Sequence, residues 1–523
     1  MFSKTTIWAA LLLVVYLLNG ILLIPQSSLT YDEMDHWSYG KRILKIQPKR
    51  VYPFDDASTM PVTGLNAIPR AIEQLADPSL RKSDAGFSDI LHGRYVTLFL
   101  CLLTGILIWS WSRELFGELA GLLSLFLYVF CPNLNAHGTL LTTDAYAALL
   151  TLATFYSLWR FIQVSHWKRF LLFAFCLSIA QVVKPSLVHL FFLSAAVSLV
   201  VVLYRGNWKT NWKKQLLRIG LVSLVLLLVI NLAFFFQGTG QSLDGYSFQS
   251  QTFKNLQAGI WSSIALPFPV PYIEGIDLTM YMNQLGAGHP EVSGPNYLLG
   301  ETRTGNGFWY YYFISFIFKT PLTVLLLLLG LPVLLWKNPA TNRETWTVFL
   351  LLTISLYFLL VFGLTNRSQV GIRHVLMVYP LVYVALGYWA KAVFSIKWKG
   401  LLFAGILLYT GFSYYRFYPN LIAYHNEIVA DKKVYTIMAS SNVDFGQSAF
   451  RLQKFLTNNP EYRIPDSIPQ PGKYIQGVDA YLGLMDKYRI DWLNDHFKPV
   501  GQFDHSFLLF EVTEAELRQK GIR

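Results

Sequence analysis

Long apolar runs recur along the chain at about 6–24, 92–111, 119–132, 144–162, 170–183, 187–204, 217–236, 311–335, 345–364, 374–390 and 400–415. A helix needs ~20 predominantly apolar residues to cross the ~30 Å hydrocarbon core of a bilayer. Backbone polar groups in that core must be satisfied within the segment, so each run is expected to be helical. This predicts a polytopic α-helical membrane protein of about eleven spans, the third and fifth being short for a crossing. The charge content agrees, at 14% of residues against roughly 25% in soluble proteins. The first run ends at Pro25 without a small-x-small cleavage pattern, so it reads as an uncleaved first helix.

Basic residues then set the orientation. With a cytoplasmic start, the inside loops carry Arg113, Lys168, Arg169, the stretch from Arg205 to Arg218, Lys337, Arg343, Lys391, Lys397 and Lys399. The short outside loops hold only Lys184, Arg367 and Arg373, an asymmetry that fits the positive-inside rule. The net charge of +12 therefore belongs to membrane topology and headgroups, and no nucleic-acid partner is expected. Cys101, Cys131 and Cys176 fall in or beside apolar runs and suggest packing rather than disulfides.

Three long segments fall outside under this topology: loops at about 25–91 and 237–310, and a tail at 416–523. Residues 1–415 are expected to form the membrane domain. The tail mixes strand-like Ser506 to Val512 with helix-like Phe445 to Leu456, and predicts a small extracytoplasmic α+β domain.

The polar residues collect at the same outer edge. Tyr31-Asp32-Glu33-Met34-Asp35-His36 follows the first span, where carboxylates carry a desolvation cost unless they meet water, cations or substrate. Thr30 and Asp32 equally suit helix N-cap positions. Asp144, after Thr142-Thr143, suits either an N-cap or a second catalytic carboxylate. Lys184 beside Pro185 is a phosphate contact or a snorkelling lysine. Arg367, Arg373 and His374 form an anion-binding or headgroup-anchoring edge, with Arg94 a weaker candidate of the same kind. No Walker-type glycine loop and no zinc-spaced His/Cys run occurs, so no cofactor is expected, with a dispersed divalent-metal site left open.

Two functional classes fit these features: an enzyme acting on a lipid-phosphate substrate, and a flippase or transporter of anionic lipid-linked substrates. A transporter is expected to place ionisable groups at mid-membrane on interrupted helices. Here they sit at one edge beside large segments, which favours the enzyme.

Several stretches resemble a known group. They are Asp32-Glu33 with His36, Arg94 through Arg113-Glu114-Leu115-Phe116-Gly117, and Cys131-Pro132-Asn133 through Asp144. Lys184-Pro185, Gly300-Glu301, Phe318-Lys319-Thr320-Pro321, Gly371-Ile372-Arg373-His374 and Asp444-Phe445-Gly446-Gln447 also agree, with Phe445 where Trp is more usual. Together they resemble the GT-C membrane glycosyltransferases, specifically family 39, the protein O-mannosyltransferase-like group and its bacterial phospholipid-carrier-dependent branch. The resemblance implies a GT-C fold in the cell membrane and transfer on the outer face, with inversion. It implies a polyprenyl-phosphate-linked sugar as donor and a protein, lipid or glycan acceptor. By the same resemblance Asp32 is the general base, Glu33 positions acceptor or sugar, and Asp144 holds one of them. Arg373 and His374, with Lys184 and Arg94, neutralise the leaving phosphate.

Overall fold

The computed structural model describes residues 4–522 except 78, 80–86, 206–207, 260, 338–340, 394–396, 430 and 486–487, so part of the expected loop 25–91 lies outside the described residues. In chain order, α1 (Lys4–Leu23) leads to α2 (Glu33–Leu44) and α3 (Gly64–Ala76). Next come α4 (Phe87–Phe116), α5 (Glu118–Val129), α6 (Pro132–Gly138), α7 (Asp144–Gln163), α8 (Trp167–Ala180), α9 (His189–Tyr204) and α10 (Trp208–Ala233). The expected loop 237–310 holds α11 (Gln251–Ala258), α12 (Val270–Leu285) and a hairpin of β1 (Asn296–Leu298) and β2 (Glu301–Arg303). The chain then forms α13 (Tyr311–Lys319), α14 (Leu322–Lys337), α15 (Asn342–Thr365), α16 (Val378–Leu386), α17 (Tyr388–Val393) and α18 (Lys397–Phe417).

Among the described residues, six helices are long and apolar enough to cross a membrane, or up to eight if each of two bent pairs is one span. The bends have a common cause. Cys131 precedes Pro132 and Thr320 precedes Pro321, and both pre-proline residues are extended. The helix pairs that meet there turn by 64° (α5 and α6) and 112° (α13 and α14). The expected span 170–183 is the 14-residue α8, short of the ~20 residues a crossing needs. The expected span 374–390 is divided between a 3₁₀ turn, α16 and the start of α17.

Aromatic packing ties the helices together. Trp111 of α4 stacks on Tyr156 of α7 at 5.2 Å and lies 6.0 Å from Trp159, ring centre to ring centre. Trp159 also donates from Nε1 to Thr347 Oγ1 of α15 at 2.9 Å, satisfying the one polar atom of its buried ring. Leu224 and Leu228 of α10 are instead exposed, as are Leu11, Val14 and Leu18 of α1. Such apolar surface suits contact with lipid, and this is a multi-pass membrane protein.

The tail folds as expected in class. A four-stranded sheet runs in the order β3 (Tyr462–Arg463), β4 (Gly472–Gly477), β6 (Phe507–Val512), β5 (Gly501–Phe503). Only the β3–β4 pair is parallel. Its own core includes Tyr474, Trp492, Leu493 and Phe510.

Candidate active site

A cavity of about 700 Å³ opens where the start of α2, the start of α7, the Lys184-Pro185 turn, α12, the loop 366–374 and the tail meet. Asp32, His36, Asp144, Lys184, Arg373 and His374 all line it, so six of the nine residues singled out in the sequence converge there.

Asp32 stands at the N-cap position of α2, yet its carboxylate makes no capping hydrogen bond. It is paired instead with Arg373. The Asp32 side chain keeps 34% of its accessible surface, toward the cavity, whereas Arg373 keeps 11%. Burial among the cavity walls pushes the Asp32 carboxyl up, and the Arg373 guanidinium and His36 pull it back below its ordinary value. Asp32 is therefore ionised near neutral pH. Burial pushes the His36 ring down against the pull of Asp32 and Asp144, which leaves it neutral.

Arg373 is held from several sides. Its guanidinium lies 4.3 Å from the Phe445 ring centre and 3.7 Å from Asp144. Asp144 is the first residue of α7; it pairs with Lys184 and accepts from Thr142 Oγ1 at 3.4 Å. Asp144 thus sits between two cations. His374 shares a 3.0 Å hydrogen bond with the Tyr312 hydroxyl.

Three expected site residues do not reach the cavity. Glu33 and Arg94 are fully buried in a bidentate pair, with Arg94 Nε 2.7 Å and a terminal nitrogen 2.5 Å from the carboxylate. Glu33 also accepts from Thr30 N and Leu141 N, both at 2.9 Å, and Arg94 donates to the Ser27 and Ser28 carbonyls, both at 2.7 Å. A buried charge must be compensated on every side, and these two are spent on each other and on the backbone leading to Asp32. The expected substrate role of Glu33 and phosphate role of Arg94 give way to a structural one. Arg367 is exposed, its N–H bonded to Asn283 Oδ1 at 2.8 Å, and its phosphate role is likewise not supported by its position.

Three further carboxylates line the cavity. Asp35 of α2 is pushed up to about 7 by burial and by Asp55, Asp32 and Asp56. Asp444 and Asp479 of the tail also line the cavity, with burial raising them to about 6 and about 7. Asp35 belongs to the acidic stretch after the first span and Asp444 to the Asp444-Phe445 motif, whereas nothing local marks Asp479. Among the described residues, no group of three or more His, Cys, Asp or Glu side chains is arranged to hold a metal ion.

No curated protein matches this chain. Two crystal structures, of ArnT from Cupriavidus metallidurans in the apo state and bound to undecaprenyl phosphate, align at 14% and 13% identity. Each covers 98% of this chain and 99% of its own, with TM-scores of 0.33 and 0.32. Residues 85–234 match the family model described as dolichyl-phosphate-mannose-protein mannosyltransferase. That match takes in α4 through α10, including Asp144 and Lys184, and sets this multi-pass membrane protein among the glycosyltransferases.

Proposed function

We propose that the protein transfers a sugar from a polyprenyl-phosphate-linked donor to a hydroxyl of a protein, lipid or glycan acceptor. The carrying observation is the Asp32–Arg373 pair at the wall of the cavity, with Lys184 and Asp144 beside it. Arg373 and Lys184 bind the phosphate that leaves, where negative charge develops as the glycosidic bond breaks. Cations in place at that oxygen remove the need for a separate acid. Asp144 fixes both cations from behind, a role its burial suits better than direct contact with sugar. His36 and His374 fill the polar wall as hydrogen-bonding groups.

Asp32 is the general base. As the acceptor hydroxyl attacks the anomeric carbon, Asp32 takes its proton and the polyprenyl phosphate departs from the opposite face, with inversion. Donor phosphate competes for Arg373 and loosens its hold on Asp32, which raises the carboxylate's basicity once the donor is bound. We place residues 1–415 as the catalytic membrane domain and 416–523 as an extracytoplasmic domain closing the site. The reaction then runs on the outer face of the cell membrane, in keeping with the distribution of basic residues.

The test is release of free undecaprenyl phosphate from a panel of donors carrying mannose, an amino sugar or a pentose, using wild type and Asp32→Asn in parallel. Release by wild type alone supports the reading. Movement of labelled lipid across vesicles with no sugar transferred by either protein overturns it in favour of a flippase.

A further inference from the structure

The Asp444-Phe445-Gly446-Gln447 stretch has no chemical step in the proposed reaction, yet with the residues just before it it grips both loops that supply the ion pair. On one side it holds the approach to Asp32. Ser28 N–H donates to Gln447 O at 3.1 Å and Tyr31 N–H to Phe445 O at 3.2 Å. Ser28 Oγ donates to Gly446 O at 2.7 Å and accepts from Ala449 N–H at 2.8 Å. Gly446 has φ +95°, and a Cβ there would lie 2.8 Å from Leu29 O, so glycine alone allows the two backbones this close.

On the other side the same segment holds the approach to Arg373. Asn442 Oδ1 accepts the Ile372 N–H at 2.9 Å, and Ser441 Oγ donates to Val370 O at 2.7 Å. Asn442 is itself fixed: its Nδ2 donates to the Tyr311 hydroxyl at 3.1 Å, and its carbonyl accepts from the buried Lys319 Nζ at 2.6 Å. Lys319 sits at the end of α13, so this grip is anchored in the helical bundle. Phe445 completes the contact by placing its ring against the Arg373 guanidinium.

We infer that residues 441–447 are a positioning element that sets the Asp32–Arg373 geometry, so the tail takes part in the reaction through the two loops it holds. The inference rests on the reading of Asp32 as base and Arg373 as phosphate ligand. Its physical need is plain. Asp32 lies before the first turn of α2 and Arg373 in a 3₁₀ turn, so neither is fixed by the interior of a long helix. A misplacement of ~1 Å at reacting groups costs up to ~100-fold in rate.

The test compares Asn442→Leu, which removes the acceptor for Ile372 N–H at similar volume, with Asn442→Asp, which keeps it. Asp32→Asn runs alongside, and gel filtration with thermal melting in detergent checks folding. Asn442→Leu is expected to lower kcat/KM for the polyprenyl-phosphate sugar at least ~10-fold. It also moves the acid limb of the pH–rate profile upward by roughly 1 unit. The direction follows from the neighbours of Asp32. Arg373 and His36 lower it and Asp144 raises it, and of these only Arg373 lies on a loop held by Asn442. Asn442→Asp restores most of the rate and the original limb, which a merely structural defect would not do. If Asn442→Leu does not fold, Ser441→Ala, which frees Val370 O, shows the same direction with a smaller loss. If no donor in the panel turns over, affinity for undecaprenyl phosphate decides, with ~10-fold weaker binding by Asn442→Leu than by wild type supporting the inference. An Asn442→Leu protein with wild-type rate, pH limb and affinity, beside an inactive Asp32→Asn, overturns the positioning role alone. Normal turnover by Asp32→Asn overturns the base assignment and the positioning role with it.

Discussion

Asp32 and Arg373 stand 341 positions apart in the chain and meet as an ion pair at the cavity wall. The pair joins the start of α2 to the turn before α16, and Arg373 extends the contact to Asp144 at 3.7 Å. Acid, cation and acid thus alternate along the cavity wall, a pattern that holds Arg373 between two carboxylates at the place an incoming anion would reach.

Replacing Asp32 by Asn is expected to leave the fold intact, because the amide still accepts from Arg373 and the side chain is partly exposed to the cavity. Sugar transfer is expected to fall by ~10²-fold or more, as for loss of a general base. Steady-state turnover of a variant shown to be monodisperse measures this, and wild-type turnover would contradict it.

Arg373→Ala is expected to weaken donor use, read as kcat/KM at varied polyprenyl-phosphate sugar, much more than acceptor use. Arg373→Lys restores only part of it, since a lysine supplies charge without the guanidinium's bidentate fork. An effect confined to acceptor affinity would remove Arg373 from the phosphate.

Glu33→Ala and Arg94→Ala are stability variants. Either leaves a charge buried without its partner, at a cost of ~3–5 kcal/mol. Arg94→Lys is not expected to rescue, because Arg94 serves Glu33 and the Ser27 and Ser28 carbonyls from three different nitrogens. Thermal melting in detergent gives the outcome, and a melting temperature like wild type in the alanine variants would refute the structural role.

The two tail carboxylates at the cavity make stability depend on pH. Asp444 and Asp479 titrate at about 6 and about 7 in the folded protein, above the ~3.9 of an unfolded Asp. Their protons are held more tightly when folded, so the stability they contribute is complete below ~pH 4 and is lost as pH rises through 6 and 7. Asp479→Asn keeps an oxygen for the Ser440 N–H, bonded at 2.8 Å in wild type. Its melting temperature is expected to fall less than that of wild type between about pH 5 and about pH 8. Equal falls would show that Asp479 is not held protonated.

The class of the molecule could be read locally because it depends on run length and polarity alone. Nearly every apolar run became a helix, and the strand-like Ser506 to Val512 became β6 with its flank. The charged candidates were legible too, since an ionisable group beside an apolar span must find water or a partner. Which partner was not legible. Asp32 and Glu33 are neighbours in sequence, yet one faces the cavity and the other is sealed against Arg94, because successive residues at a helix start diverge by ~100° about the axis. Asp479 and Asn442 carry no local mark of their place at the site; contacts across the folded chain put them there. The sequence by itself determined that this chain enters a membrane and gathers acids and bases near one edge, for hydropathy and charge are properties of each segment. Only the tertiary structure decided which carboxylate is free to act and which cation stands beside it, because ion pairing depends on distances that the packing of remote segments sets.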